Sequence, residues 1–135
     1  MKVFLGGTCN GSSWRDEIIP YLKSAKIDYF NPVVPDWTEE CMVQEIEARK
    51  KCDFVLYVIT PKMTGVYSIA EVVDDSNKRP CNTIFAILKS DSGKTFLDFQ
   101  IKSLSSVVKM VISNGAYYTD NLKDIVTYIN NKKDK

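Results

Sequence analysis

Ser68 and Glu71, in the run Gly65-Val66-Tyr67-Ser68-Ile69-Ala70-Glu71, are spaced for chemistry or for capping. As a capping box, Ser68 would cap a helix and Glu71 would reach back to its first amide. As a functional carboxylate, Glu71 would be a nucleophile or a general base. A nearby helix N-terminus would lower its pKa and keep it ionised. The pattern alone favours the cap, and the two readings are not exclusive. The 135-residue chain contains no histidine. That removes Ser-His-Asp and Cys-His catalysis, histidine-ligated zinc and imidazole bases together. Any chemistry must come from carboxylates, hydroxyls, thiols, Lys, Arg or backbone.

Two further segments carry candidate groups. Gly6-Gly7-Thr8-Cys9-Asn10-Gly11-Ser12-Ser13 is small and polar and leads into Trp14-Arg15. Its glycines let backbone approach a ligand closely, and the helix that follows favours anions. Phe30-Asn31-Pro32 precedes Asp36-Trp37. A tryptophan most simply packs in a core, but Trp14 and Trp37 both stand beside polar loops, which points to a planar ligand.

These segments need a frame. Lys2 to Gly6, Phe54 to Ile59 and Thr83 to Leu88 are short, nearly continuous apolar runs, as in strands covered on both faces. Ile27 to Phe30 and Ala116 to Thr119 are weaker strand candidates. Helical patterns lie between them. The first is capped by Ser13, shows an apolar stripe of Ile18, Tyr21, Leu22 and Ala25, and carries Pro20 inside, where a kink is expected. Thr38 to Lys51, Ser68 to Lys78, Leu97 to Ser113 (with an apolar stripe of Ile101, Leu104, Val107, Val108, Val111 and Ile112, and stopped by Asn114-Gly115) and Leu122 to Asn131 follow. Five strand–helix repeats predict one α/β domain over residues 1–135. The expected fold is a flavodoxin-like, Rossmann-like three-layer sandwich with a mostly parallel five-stranded sheet in the order 2-1-3-4-5. Ligands then bind beyond the carboxyl ends of strands 1 and 3, where the strand order switches. The Gly6–Ser13 and Thr60–Tyr67 loops lie there.

Composition bounds the partners. Lys and Arg number 18 against 17 Asp and Glu, for a net charge of +1. No whole-chain field draws a nucleic acid polymer or an anionic membrane. Cys9, Cys41, Cys52 and Cys81 include no C-x-x-C pair, so reduced thiols in a cytoplasmic protein are expected, with no metal site. No run suits a signal peptide or a membrane span.

Other motifs fail on inspection. Ser92-Gly93-Lys94-Thr95 resembles the end of a P-loop, but the earlier glycine is replaced by Leu88, so Lys94 reads as a solvated loop residue. A phosphoacceptor receiver needs an acidic pair after strand 1, where Gly6-Gly7 stands. The hydroxyls Thr8, Ser12 and Ser13 match a flavin phosphate loop only in part. The charge run Glu45 to Lys51 reads as an exposed helix face, from which Glu45 or Glu47 can point into the site.

Taken together, Val3-Phe4-Leu5-Gly6-Gly7, Trp14-Arg15, Phe30-Asn31-Pro32, Asp36-Trp37, Cys52-Asp53 and Gly65 to Glu71 resemble the nucleoside 2-deoxyribosyltransferase-like family, in its short bacterial and phage branch. The resemblance covers roughly the first 90 residues. It implies that Glu71 attacks C1′ of a 2′-deoxyribonucleoside or its monophosphate, and that a second base or water then takes the sugar. Retaining glycosyl transfer needs a carboxylate nucleophile and a proton donor, and no imidazole.

The resemblance further implies that Gly6, Gly7, Thr8 and Asn10 line the base or sugar pocket, with Trp14 and Arg15 beside it. Asn31, Pro32, Asp36 and Trp37 would close its edge, and Ser68 would face the sugar with Glu71. Gly65, Tyr67 and Glu45 complete the substrate-binding candidates. Asp53 is structural. No cofactor is implied, and a homo-oligomer is expected, with Ala116 to Asp120 the segment that would complete a neighbour's site. The sequence departs from the family at Gly65, where the transferases carry an aspartate, and at Val73, where they carry glycine. Ser12, Ser13, Arg15 and Ser68 would permit a phosphate. A nucleotide-binding module without catalysis and an NAD-type glycohydrolase are the alternative functions.

Overall fold

A computed structural model describes residues 1–9 and 11–133. The elements in order are β1 (Lys2–Gly7), α1 (Trp14–Ser24), β2 (Asp28–Phe30), α2 (Glu39–Lys51), β3 (Phe54–Ile59), α3 (Tyr67–Lys78), β4 (Thr83–Ile87), β5 (Ser90–Asp91), β6 (Lys94–Thr95), α4 (Asp98–Ser113), β7 (Tyr117–Thr119) and α5 (Leu122–Lys133). A turn of 3-10 helix, Pro80–Asn82, leads into β4. The main sheet is parallel throughout, in the order β2-β1-β3-β4-β7. This is the expected α/β order, with β7 as its fifth strand.

The central strands are apolar on both faces because helices cover both. One layer packs Trp14, Ile18 and Leu22 of α1 and Leu122, Ile125 and Ile129 of α5 on Val3, Leu5, Phe54, Leu56 and Val58. The other packs Val72 of α3 and Leu104 and Val111 of α4 on Phe4, Val55, Tyr57, Ile59 and Phe85. Helix α2 buries no residue fully and caps the edge of this second layer through Ala48. Among the described residues no helix is long and apolar enough to cross a membrane.

Four local expectations differ. Ser13 stands at the N-cap of α1, which holds Pro20 inside it as expected, but makes no side-chain bond there. On α4 only Leu104 and Val111 are buried, while Ile101 and Ile112 of the expected stripe are about half exposed. The Ser92-Gly93-Lys94-Thr95 segment is part of a β-hairpin rather than a plain loop. Ser92 and Gly93 both have positive φ (51° and 82°), the geometry of a tight two-residue hairpin turn. Finally, α3 begins at Tyr67 with Val66 as its N-cap and has no side-chain cap, so Ser68 and Glu71 form no capping box. The helix starts one residue before Ser68, which places both residues inside it.

Candidate functional site

The chain leaves β1 and β3 side by side, Gly7 opposite Val58, and the loops that follow diverge. A Cβ on Gly7 would lie 2.1 Å from the Val58 carbonyl oxygen, and its φ of +116° suits glycine alone. At Gly6 a Cβ would meet the Tyr57 ring at 2.7 Å. These two residues let the backbone turn away flush with the sheet. Thr8 then bridges the strands: its amide donates to the Val58 carbonyl at 2.9 Å, and its hydroxyl accepts from the Thr60 amide at 3.0 Å.

Beyond these strand ends lies a cleft of about 490 Å³, the size of a small-molecule site. Its floor is Gly6, Gly7 and Thr8, with Phe4 and Ile59. One wall comes from Pro32 to Val34, Trp37 and Glu45; the other from Met63 to Gly65, Tyr67, Ser68 and Glu71. Trp37 and Tyr67 stand on the rims, 62% and 73% exposed.

The structure therefore gathers Gly6, Gly7, Thr8, Arg15, Pro32, Trp37, Glu45, Gly65, Tyr67, Ser68 and Glu71 around one cleft. It does not gather the rest. Trp14 is a core residue, 1% exposed, whose ring nitrogen donates to the Thr8 carbonyl at 2.8 Å. As the first residue of α1 it faces the sheet rather than the opening. Asn31 turns its side-chain oxygen to the Val33 amide at 3.1 Å, fixing the loop instead of lining the cleft. Asp36 is exposed and off the lining. Asn10 lies outside the described residues. Lining positions not anticipated from sequence are Phe4, Cys9, Val33, Val34, Ile59, Met63 and Thr64. All are neighbours of anticipated ones, on the same loops and strand ends.

Arg15 touches the cleft, but its guanidinium is spent on backbone. It donates to the Leu5 carbonyl at 2.9 and 3.1 Å and to the Thr8 carbonyl at 2.7 Å, and it lies over the Trp14 ring at 4.3 Å. Burial pulls it below the ordinary arginine value. Ser12 is likewise engaged, donating to Asp91 at 2.5 Å, and Thr60 donates to the same carboxylate oxygen at 2.6 Å. Burial opposes charge on Asp91, but these bonds outweigh it and hold the carboxyl below its usual range. The hairpin thus ties both site loops together.

Two carboxylates open into the cleft. Of the two candidates on α2, Glu45 lines it, while Glu47 is exposed and pairs with Lys51 at 3.4 Å. Burial raises the Glu45 carboxyl, with Arg15 opposing. Glu71 has a side chain only 13% exposed, and its Oε2 lies 3.6 Å from Arg49 Nε. Burial pushes its carboxyl up to about 7; Glu45 and Asp75 add to the rise, and Arg49 opposes it. This reverses the expectation of a depressed pKa. Desolvation between two acidic neighbours outweighs the helix N-terminus, from which Glu71 is already a full turn removed.

Behind Glu71 stands a cluster that the sequence reading missed: Arg49, Tyr57 and Asp75. The only sequence signal is helical spacing, since Arg49 is four residues after Glu45 and Asp75 four after Glu71. Among the described residues no group of three or more Cys, Asp or Glu side chains is placed to hold a metal ion.

A family model described as nucleoside 2-deoxyribosyltransferase like matches residues 1–92. The chain belongs to that family. No match was found among curated proteins. The matched span holds every residue that lines the cleft, while α4, β7 and α5 lie beyond it. As a member of the nucleoside 2-deoxyribosyltransferase-like family, the protein has a fold and a cleft suited to deoxyribosyl transfer or glycosidase chemistry on a nucleoside-type small molecule.

Proposed function

We propose that the protein cleaves the N-glycosidic bond of 2′-deoxyribonucleosides through a covalent glycosyl intermediate on Glu71. The observation that carries this reading is the Glu71 carboxylate itself. It is half-buried at the cleft wall beside Arg49 and has no capping role to explain it. An oxygen of ionised Glu71 attacks C1′ as the bond to the base breaks, and the bonding pair leaves with the base nitrogen. Glu45, the second carboxyl of the cleft, supplies the proton to the departing base. Glu45, now ionised, takes the proton of a second base or water as it attacks C1′, and Glu71 leaves as the carboxylate. The transition state carries positive charge on the sugar, which the Glu71 carboxylate stabilises. Trp37, exposed on the rim, offers a face on which a base can stack.

The free nucleoside fits better than its 5′-monophosphate. Arg15 and Ser12, two of the groups that would hold a phosphate, are committed to carbonyls and to Asp91. The ionised Glu71 carboxylate also repels a dianion. A chromatographic screen of deoxynucleosides, their monophosphates and NAD, with and without an acceptor base, tests the reading. Free base from deoxynucleosides, abolished in Glu71→Gln, is the expected result. Unchanged turnover in that variant overturns it. Gly65 supplies no acid where the family's transferases carry one, and this favours a second reading, a nucleotide-binding module without catalysis. Thermal stabilisation by a nucleotide with no product formed would select that reading.

A further inference from the structure

We propose that Arg49 is a positioning residue for Glu71: shared with buried Asp75, it sets how readily the Glu71 carboxylate carries charge. This rests on the reading of Glu71 as the nucleophile.

The geometry shows an uneven division. Arg49 Nε lies 3.0 Å from Asp75 Oδ2 and 2.9 Å from the Tyr57 hydroxyl, but 3.6 Å from Glu71 Oε2. Its outer nitrogen goes to Asp74 at 3.0 Å and to the Glu71 backbone carbonyl at 3.4 Å. The guanidinium is thus hydrogen-bonded to Asp75 and only ion-paired with the Glu71 carboxylate. Asp75 is 5% exposed and also accepts from the Tyr57 hydroxyl at 2.6 Å. Burial, then the bond to Asp75, raises the Tyr57 phenol above its ordinary value, so it remains a donor.

Charged and titratable groups reach Glu71 from three sides. Helix α2 brings Arg49 and Glu45, α3 brings Asp75, and β3 brings Tyr57; Asp74 acts through Arg49. Arg15 of α1 acts one step away, through Glu45. Of these, Arg49 is the cation in contact with Glu71, and Asp75 competes for it. A nucleophilic carboxylate clamped by a bidentate arginine would be ionised but tied up. Here Asp75, Tyr57 and Asp74 take the arginine's side-chain hydrogen bonds, and Glu71 keeps the nearby charge with its oxygens available for C1′.

The two partners therefore make opposite predictions. Asp75→Asn removes an adjacent negative charge and frees Arg49, so the Glu71 pKa falls, by about one unit or more. Arg49→Met removes the cation, so the Glu71 pKa rises by about as much, and Arg49→Lys restores part of it. The readout is the titration of the Glu71 carboxyl by carbon-13 NMR, assigned with Glu71→Gln, alongside the acidic limb of kcat/KM. A role confined to stability would lower the melting temperature of both variants without moving the titration in opposite senses. Shifts in the same direction, or no shift in folded variants, overturn the proposal. If Arg49→Met fails to fold because Asp75 is left unpaired, Asp75→Asn and Arg49→Lys still decide. The NMR arm needs no substrate. Opposite shifts without turnover on any nucleoside would sink the nucleophile reading and leave the positioning of the carboxylate standing.

Discussion

Replacing Glu71 with glutamine keeps the shape of the side chain and removes its charge, so it separates stability from chemistry. The folded protein holds this carboxyl at about 7, against 4.5 for an ordinary glutamate. Each pKa unit is worth about 1.36 kcal/mol, so carrying the charge costs the fold about 3 kcal/mol relative to the unfolded chain. The folded-state pKa is raised, and this fixes the sign. Below about 4.5 the group is neutral in both states and costs nothing. As pH rises towards 7 the unfolded chain ionises first, and stability falls until the folded carboxyl ionises too. Glu71→Gln escapes that cost. Parent and variant should therefore unfold alike at pH 4. At pH 8 the variant should be more stable by about 3 kcal/mol, a rise of roughly 10 °C in Tm, while turnover is lost. Denaturant titrations or calorimetry across this range read the difference. A variant no more stable than its parent at pH 8 refutes the argument that the fold holds this carboxylate at a cost. A variant destabilised at every pH would show that Glu71 serves the scaffold.

Three other substitutions test the frame. Trp37→Ala on the exposed rim should leave stability within about 0.5 kcal/mol but raise KM about tenfold through lost base stacking, read by steady-state kinetics. Gly7→Ala forces a Cβ against the Val58 carbonyl at a positive φ, and should cost about 3 kcal/mol or more, measured by denaturant unfolding. Asp91→Ala leaves the Ser12 and Thr60 hydroxyls without their acceptor. It should cost about 2 kcal/mol and loosen both site loops, seen as faster amide hydrogen exchange at Ser12 and Thr60.

The sheet was legible because its strands are buried on both faces: Phe54 to Ile59 reads as an unbroken apolar run and is fully covered. Once that order is known, the switch point follows, and with it the Gly6–Thr8 floor and the Gly65–Glu71 wall. What was not legible depends on a shift of a residue or two, or on distant partners. Ser68-x-x-Glu71 has capping spacing, yet α3 starts at Tyr67 and the box is lost. Trp14 and Trp37 have the same chemistry and similar neighbours in sequence. One opens a helix against the sheet and is buried, while the other ends a loop on the rim. Arg49 looked like one charge in a solvated run. Its partners Tyr57, Asp74 and Asp75 come from other elements, and only the packing of α2 beside α3 brings them together.

The arginines explain how a site without histidine can keep two carboxylates chemically available. Each cleft carboxylate has one nearby: Arg15 beside Glu45, and Arg49 beside Glu71. Neither arginine is free to clamp its neighbour, because Arg15 is held by the carbonyls of Leu5 and Thr8 and Arg49 by Asp75 and Tyr57. The cations offset part of the cost of burying the acids without occupying their oxygens. Burial raises both carboxyls, Glu71 to about 7, which favours passing a proton to a leaving base while a carboxylate can still attack carbon. A histidine supplies that pKa by its own chemistry; here the fold supplies it by desolvation, with the arginines limiting how far the shift goes.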